Sequence, residues 1–209
     1  MDNVIIKMEN VYKEFDDNVV LNNINISFEK GRICGIVGRN GSGKTLLLKL
    51  ICGLEAPTSG NIIIEGKNMK YGHVYNIGSL IEAPGYLPGY SGYGYLRLLS
   101  QIRNKIDKSE IKKIMEQVGL DYNDRKKIAH YSMGMKQRLG IAQAIMEKQT
   151  IVLLDEPLNG IDKSGVEDVM NIIRKLKDEG RAILITGHYE EEVKEISDKV
   201  IKMDMGQII

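Results

Sequence analysis

Residues 38–45 read Gly38-Arg39-Asn40-Gly41-Ser42-Gly43-Lys44-Thr45 and fit the spacing G-x-x-x-x-G-K-[ST]. Glycines let a backbone wrap tightly and turn its N–H groups inward. A helix opening directly behind the loop adds its positive end, so phosphate oxygens are the natural guests. Lys44 brings a point charge to the β- and γ-phosphates, and Thr45 brings a hydroxyl to Mg²⁺. A glycine-rich turn with an exposed lysine would need neither the apolar strand before the loop nor the Lys-Thr pair.

A second group of residues supplies negative charge. Ile151-Val152-Leu153-Leu154 is followed by Asp155 and Glu156. A buried strand that ends in adjacent carboxylates is costly unless they bind something. Asp155 suits the Mg²⁺ shell, and Glu156, one residue on, is placed to polarise an attacking water. Two acids in an ordinary loop are the plainer reading of this segment alone. The phosphate loop is what sets it aside.

Elements to hold these groups are legible around them. Residues 4–6, 19–28, 33–37 and 61–65 read as strands, and residues 46–51 as a helix. A Gly/Pro/Tyr-rich loop covers residues 84–95, and helical patterns follow at 95–105, 108–118 and 133–147. Asp107 or Ser109 is a candidate cap for the second of these helices. The last third alternates: strand 151–154, helix 162–178, strand 182–185, helix 190–196 and strand 199–203. Such alternation predicts an α/β fold, a parallel sheet covered by helices, with the all-helical middle inserted into it.

Composition bounds the rest. At roughly 150 residues per domain, the 209 residues make one to two domains. Hydrophobic residues at 43% and charged residues at 27% give an ordinary globular balance and exclude a disordered tail or a fibrous repeat. Lys plus Arg (29) against Asp plus Glu (28) leaves +1, which argues against a nucleic-acid partner. Cys34 and Cys52 cannot staple a fold this size and fit no metal spacing, so packing in a reducing compartment is expected. Met1-Asp2-Asn3 lacks the basic start of a signal peptide. No run approaches the ~20 apolar residues of a membrane helix. Any membrane spans are expected from another subunit.

What narrows the reading is Tyr131-Ser132-Met133-Gly134-Met135-Lys136-Gln137-Arg138, which opens a helix shortly before the acidic strand. It resembles the signature segment of the ATP-binding cassette (ABC) family. Glu156-Pro157-Leu158-Asn159-Gly160-Ile161-Asp162 resembles that family's D-loop, and His188 its switch histidine. The landmarks stand in family order and cover nearly the whole chain. The resemblance implies a P-loop NTPase core with a mostly parallel sheet, an N-terminal antiparallel β subdomain and an inserted α-helical subdomain. One ABC ATPase domain is then expected over residues 1–209. Its β subdomain and phosphate-loop core would cover about 1–83, the helical part about 84–148, and the rest of the core about 149–209.

The resemblance also implies a mechanism. Two nucleotide-binding subunits sandwich two ATP molecules head to tail, as a homodimer or a heterodimer. Phosphates held by residues 38–45 of one subunit face Ser132 and Gly134 of the other. Lys44, Glu156 and His188 take catalytic roles, Asp162 links the two sites, and Phe15 stacks on adenine, with Tyr12 a second choice. Thr45, Asp155 and Glu82 face Mg²⁺. Glu82 stands in Ser79-Leu80-Ile81-Glu82-Ala83-Pro84, where the family usually has Gln. Met133 and Met135 replace a usual Gly and Gln, and Asn159-Gly160 replaces a usual pair of small residues. None of these departures removes Lys44, Asp155, Glu156 or His188, so an active ATPase is expected.

Two functional readings of different class follow. In the first, the chain is the ATPase subunit of a transporter whose permease is a separate transmembrane subunit. Residues 77–84 and the signature segment look most like exporters of the bacitracin-resistance and lantibiotic-immunity type. The chain would then sit in the cytoplasm, peripheral to the cell membrane. Ile209 closely follows the last expected strand, so no regulatory C-terminal domain is expected. In the second, it is a soluble ABC ATPase without a transporter, of the iron–sulfur assembly kind. A simple phosphate-loop kinase is a third option, against which the signature segment and His188 count. The tyrosines at 86, 90, 93 and 95 fit equally an exposed turn-rich loop or a surface for the membrane partner.

Overall fold

The computed structural model describes residues 3–16, 18–70, 73, 75–82 and 85–209. The start of the chain at Met1 and Asp2, and Ala83 and Pro84 in the Glu82 loop, lie outside the described residues. The expected boundary between core and helical part, at residues 83 and 84, lies outside them too.

In chain order the elements are β1 (Val4–Phe15), β2 (Asn18–Glu29), β3 (Ile33–Val37), α1 (Lys44–Cys52), β4 (Ser59–Ile64), β5 (Lys67–Asn68) and β6 (Ile77–Leu80). Helices α2 (Gly92–Arg103), α3 (Lys108–Gln117) and α4 (Met133–Ile145) follow. The chain closes with β7 (Ile151–Leu154), α5 (Lys163–Asp178), β8 (Ala182–Gly187), α6 (Glu190–Ile196), β9 (Lys199–Asp204) and β10 (Gln207–Ile208).

Two sheets form. The first is antiparallel with order β2-β1-β4-β5, and the second has order β10-β9-β3-β8-β7-β6. In the second sheet β6, β7, β8, β3 and β9 run parallel, and only β10 is reversed. Strands β3 and β7 are buried at every residue, as unbroken apolar runs in the middle of a parallel sheet should be. Cys34 shares that burial, which pushes its thiol up to about 12.

Several strands differ from the sequence expectation, the two-residue strands β5 and β10 among them, neither of which was expected. β1 runs on to Phe15 because irregular register against β2 breaks its apolar alternation, with Asn10 and Asn23 in the left-handed region (φ 48° and 51°). β6 was not expected at all. Its four residues include Gly78 and Ser79, and it becomes a strand by pairing with β7 (Ile77 with Ile151, Leu80 with Leu154). The whole helical stretch α2–α4 therefore leaves and re-enters the sheet between two neighbouring parallel strands.

Caps fix the ends of those helices. Ser91 accepts from the Gly94 amide, so α2 starts three residues before the expected Tyr95. Asp107 and Glu110 form a reciprocal capping box on α3. The tyrosines of the turn-rich loop are not mere surface. Tyr86 and Tyr95 meet edge to face at 5.6 Å, Tyr86 Oη donates to the Lys136 carbonyl, and Tyr95 Oη donates to Gln143. Tyr90 stays exposed.

α4 lies directly against β6. A Cβ built on Gly78 would stand 1.6 Å from the Ala144 carbonyl oxygen, so only glycine permits this approach. Gly78→Ala is expected to cost about 3 kcal/mol through forced separation of strand and helix. At roughly 2–4 °C per kcal/mol for a domain of this size, thermal melting should fall by about 6–12 °C. A melting point within about 2 °C of the parent would show that the contact is not needed.

Candidate functional site

β3 lies inside the parallel sheet, and the phosphate loop leaves its C-terminal end, the edge where open α/β sheets bind ligands. Gly43 (φ 100°) takes the left-handed turn that lets α1 start at Lys44. The loop is anchored from behind, since the Gly206 amide donates to the Ser42 carbonyl. Lys44 Nζ curls back to donate to the carbonyls of Gly38 (2.8 Å) and Arg39 (3.1 Å). Burial lowers the pKa of the Lys44 ammonium, while the nearby charges of Glu156 and Asp155 act in the opposite sense. Ser42 is buried, and its hydroxyl has no hydrogen-bond partner among the described residues. Arg39, Asn40 and Gly41 are exposed along the loop's outer rim.

The acid pair meets the loop through hydroxyls. Thr45, in the first turn of α1, donates through Oγ1 to Asp155 Oδ2 at 2.8 Å. Thr186, on β8, donates to Asp155 Oδ1 at 2.6 Å. The same Thr186 oxygen accepts from the Glu156 amide at 2.9 Å. Glu156 adopts φ 49°, a left-handed conformation that costs a non-glycine residue about 1–3 kcal/mol. Its carboxylate is engaged at both oxygens, Oε1 lying 2.7 Å from His188 Nε2 and Oε2 accepting from Asn159 Nδ2 at 3.1 Å. Lys44, Thr45, Asp155, Glu156 and His188 thus come together from α1, the end of β7 and the end of β8.

The remaining expected residues are placed elsewhere. Glu82 is also left-handed (φ 58°), and among the described residues no hydrogen bond joins it to Thr45 or Asp155. It pairs with Lys49 at 2.7 Å, and that hydrogen bond raises the Lys49 pKa. Lys49 is one helical turn beyond Thr45, so Glu82 reaches the same face of α1. Phe15 is half-exposed at the end of β1 with Lys13 Nζ 4.4 Å above its ring, and Tyr12 is partly buried earlier on that strand. Strand β2, next to β1, brushes the phosphate loop where Leu21 approaches Gly43.

Ser132 caps α4 by accepting from the Met135 amide, and Asp162 caps α5 by accepting from the Gly165 amide. Gly134 faces Ile161, so the N-terminus of α4 rests on its own chain's 159–162 turn. Among the described residues no hydrogen bond or ion pair joins Ser132 or Gly134 to the phosphate loop.

The family model described as ABC transporter matches residues 21–159. The chain belongs to the ABC transporter family. The bacitracin transport ATP-binding protein BcrA of Enterococcus faecalis is 39% identical over 98% of this chain and 68% of its own length. The lantibiotic transport ATP-binding protein SrtF of Streptococcus pyogenes is 34% identical over 98% of this chain and 89% of its own. A crystal structure of a nucleotide-free ATP-binding cassette from an ABC transporter superposes with a TM-score of 0.87 at 25% identity, over 99% of this chain and 90% of that one. The chain is an ATP-binding cassette, the unit with which ABC transporters hydrolyse ATP. A non-transport assembly ATPase is not favoured, because these relatives are transport proteins.

The cassette's residues suit the groups it must hold. The buried, unpartnered Ser42 hydroxyl and the glycine turn fit a phosphate. The hydroxyl of Thr45 and the carboxylate of Asp155, adjacent at 2.8 Å, are hard oxygen donors of the kind Mg²⁺ takes. Among the described residues no helix is long and apolar enough to cross a membrane. Sequence reading passed over Thr186 and Lys49, and marked Asn159 only as a departure within the D-loop segment. Only Thr186 left a signal, as the one hydroxyl in the otherwise apolar Ala182–Gly187 strand.

Proposed function

We propose that this cassette powers export of an antimicrobial peptide or similar amphiphile through separate transmembrane permease subunits. It works from the cytoplasmic face as a homodimer or heterodimer of nucleotide-binding subunits. The observation that carries the reading is similarity over 98% of the chain to a bacitracin transport ATP-binding protein.

In this reading the 38–45 loop holds the β- and γ-phosphates through its amides and Lys44. Lys44 exchanges its loop carbonyls for phosphate oxygens, a better match for an ammonium. Thr45 and Asp155 would hold Mg²⁺, with Glu82 a further oxygen donor on the same face of α1. Bound Mg²⁺ neutralises charge on the β- and γ-phosphates. Glu156 takes the proton of the attacking water, and His188 turns from Glu156 towards the γ-phosphate to hold that water's geometry. Phe15 stacks on adenine. Ser132 and Gly134 complete the partner's site, where a serine hydroxyl and helix N-terminal amides meet the γ-phosphate. Asp162 relays the state of one site to the other.

Two substitutions separate binding from chemistry. Lys44→Ala is expected to weaken ATP binding by at least about a hundredfold, the loss of roughly 3 kcal/mol of charge-assisted contact. Glu156→Gln should bind ATP like the parent, lose hydrolysis by about a hundredfold or more, and accumulate as an ATP-bound dimer. Calorimetry and phosphate release decide both. Unchanged ATP affinity in the first variant, or parental turnover in the second, would refute the assigned role.

The transport reading is tested by affinity capture of the tagged chain from gently solubilised native membranes, followed by mass spectrometry. A multi-span membrane protein in fixed stoichiometry is expected. Capture with soluble partners only, from the cytosol, would overturn export while leaving the ATP chemistry in place.

A further inference from the structure

We infer that Thr186 is a positioning residue for ATP hydrolysis: its one hydroxyl ties the Asp155 carboxylate and the Glu156 backbone amide to strand β8. A threonine hydroxyl has one proton to donate and two lone pairs to accept with. Here the proton goes to Asp155 Oδ1 and a lone pair receives the Glu156 amide. The side chain is 1% exposed, so no water competes for either bond.

The register explains why a side chain is needed at this place. β7 and β8 pair as far as Leu154 with Ile185, and there the backbone ladder stops. The Asp155 amide turns the other way, to the Leu80 carbonyl of β6. The next amide, that of Glu156, would be orphaned as the chain swings into its left-handed turn. Thr186 meets it with a hydroxyl instead of a carbonyl.

The backbone of Thr186 is itself held, paired with Ile36 of β3 two residues before the phosphate loop begins. His188 lies two residues further along β8's exit. One buried hydroxyl therefore fixes three things. It orients the carboxylate of Asp155, whose other oxygen takes the Thr45 hydroxyl, and so aims the remaining lone pairs at the cation position. It holds the Glu156 turn, and so the point from which that carboxylate reaches water. It also sets the spacing between Glu156 and His188.

The inference rests on reading Asp155 as a metal ligand and Glu156 as the base. Two substitutions divide the hydroxyl from the shape. Thr186→Val keeps the volume and loses both bonds, and Thr186→Ser keeps the hydroxyl and loses the methyl. Misplacing reacting groups by a fraction of a bond length is expected to lower kcat of Thr186→Val about tenfold to a hundredfold, with KM for ATP within about twofold of the parent. Thr186→Ser should return kcat to within about threefold of the parent.

A readout without turnover accompanies these. Deuterium exchange at the amide of Glu156 should quicken in Thr186→Val and stay parental in Thr186→Ser. Mn²⁺ binding in the presence of ADP should weaken in the valine variant alone. If Thr186→Val does not fold, Thr186→Ala carries the same expectations.

Parental kcat in Thr186→Val would overturn the proposal. So would a serine variant as impaired as the valine one, which would make the methyl's packing the decisive part. Glu156→Gln, run alongside, separates the failures. Parental turnover there removes the reading on which the proposal stands. A dead Glu156→Gln beside an unimpaired Thr186→Val removes the role of Thr186 alone.

Discussion

The carboxylate of Asp155 follows a strand with no exposed residue, and a charge there survives only if other groups replace the water it has lost. Hydroxyls from two elements do so, Thr45 from α1 and Thr186 from β8. Each bond ties the acid to a different part of the machinery. Through Thr45 it is tied to the phosphate loop. Through Thr186 it is tied to the strand that carries His188. Much of the surrounding fold can be understood as keeping these three strand ends, β3, β7 and β8, in register. The parallel pairings do this directly.

The same geometry leaves the site half built. The loop, the two acids and His188 form one wall, and each of the acid's hydrogen bonds faces inward on that wall. The signature residues Ser132 and Gly134 stand at a helix N-terminus that rests on the chain's own 159–162 turn and makes no bond to the loop. A helix N-terminus capped only by a serine side chain still presents free amides and a positive end. The proposed head-to-tail pairing would bring these two surfaces together, the phosphate loop of one chain against the α4 N-terminus of the other. Asn159 ties the Glu156 carboxylate to the turn beside the N-terminus of α4, and His188 ties it to the end of β8.

The chemistry was more legible in the sequence than the scaffold that positions it. Residues 38–45 and the Asp155-Glu156 pair could be read because few residue types serve phosphate and Mg²⁺, and they must be adjacent in sequence to do so. β6 could not, since four residues containing Gly78 and Ser79 carry no strand signal until β7 lies beside them. The tyrosines misled in part, because a Gly/Pro-rich composition says turn whether or not Tyr86 and Tyr95 then pack against each other. Thr186 and Lys49 share one cause of invisibility. Each acts through side-chain bonds that span about thirty residues, with nothing in the local sequence to announce them. The Lys49–Glu82 pair also gives the acid in the usual glutamine position a physical setting, with a cation one helical turn from Thr45 to balance it.

The central claim is that one chain holds the phosphates and a second chain completes the site. It is tested most directly by measuring ATP hydrolysis as the purified protein is diluted through its monomer–dimer range, with sedimentation followed at each concentration. Activity per chain should fall with the dimer fraction and vanish in the monomer. Constant activity per chain in a population that sediments as monomer would contradict the account.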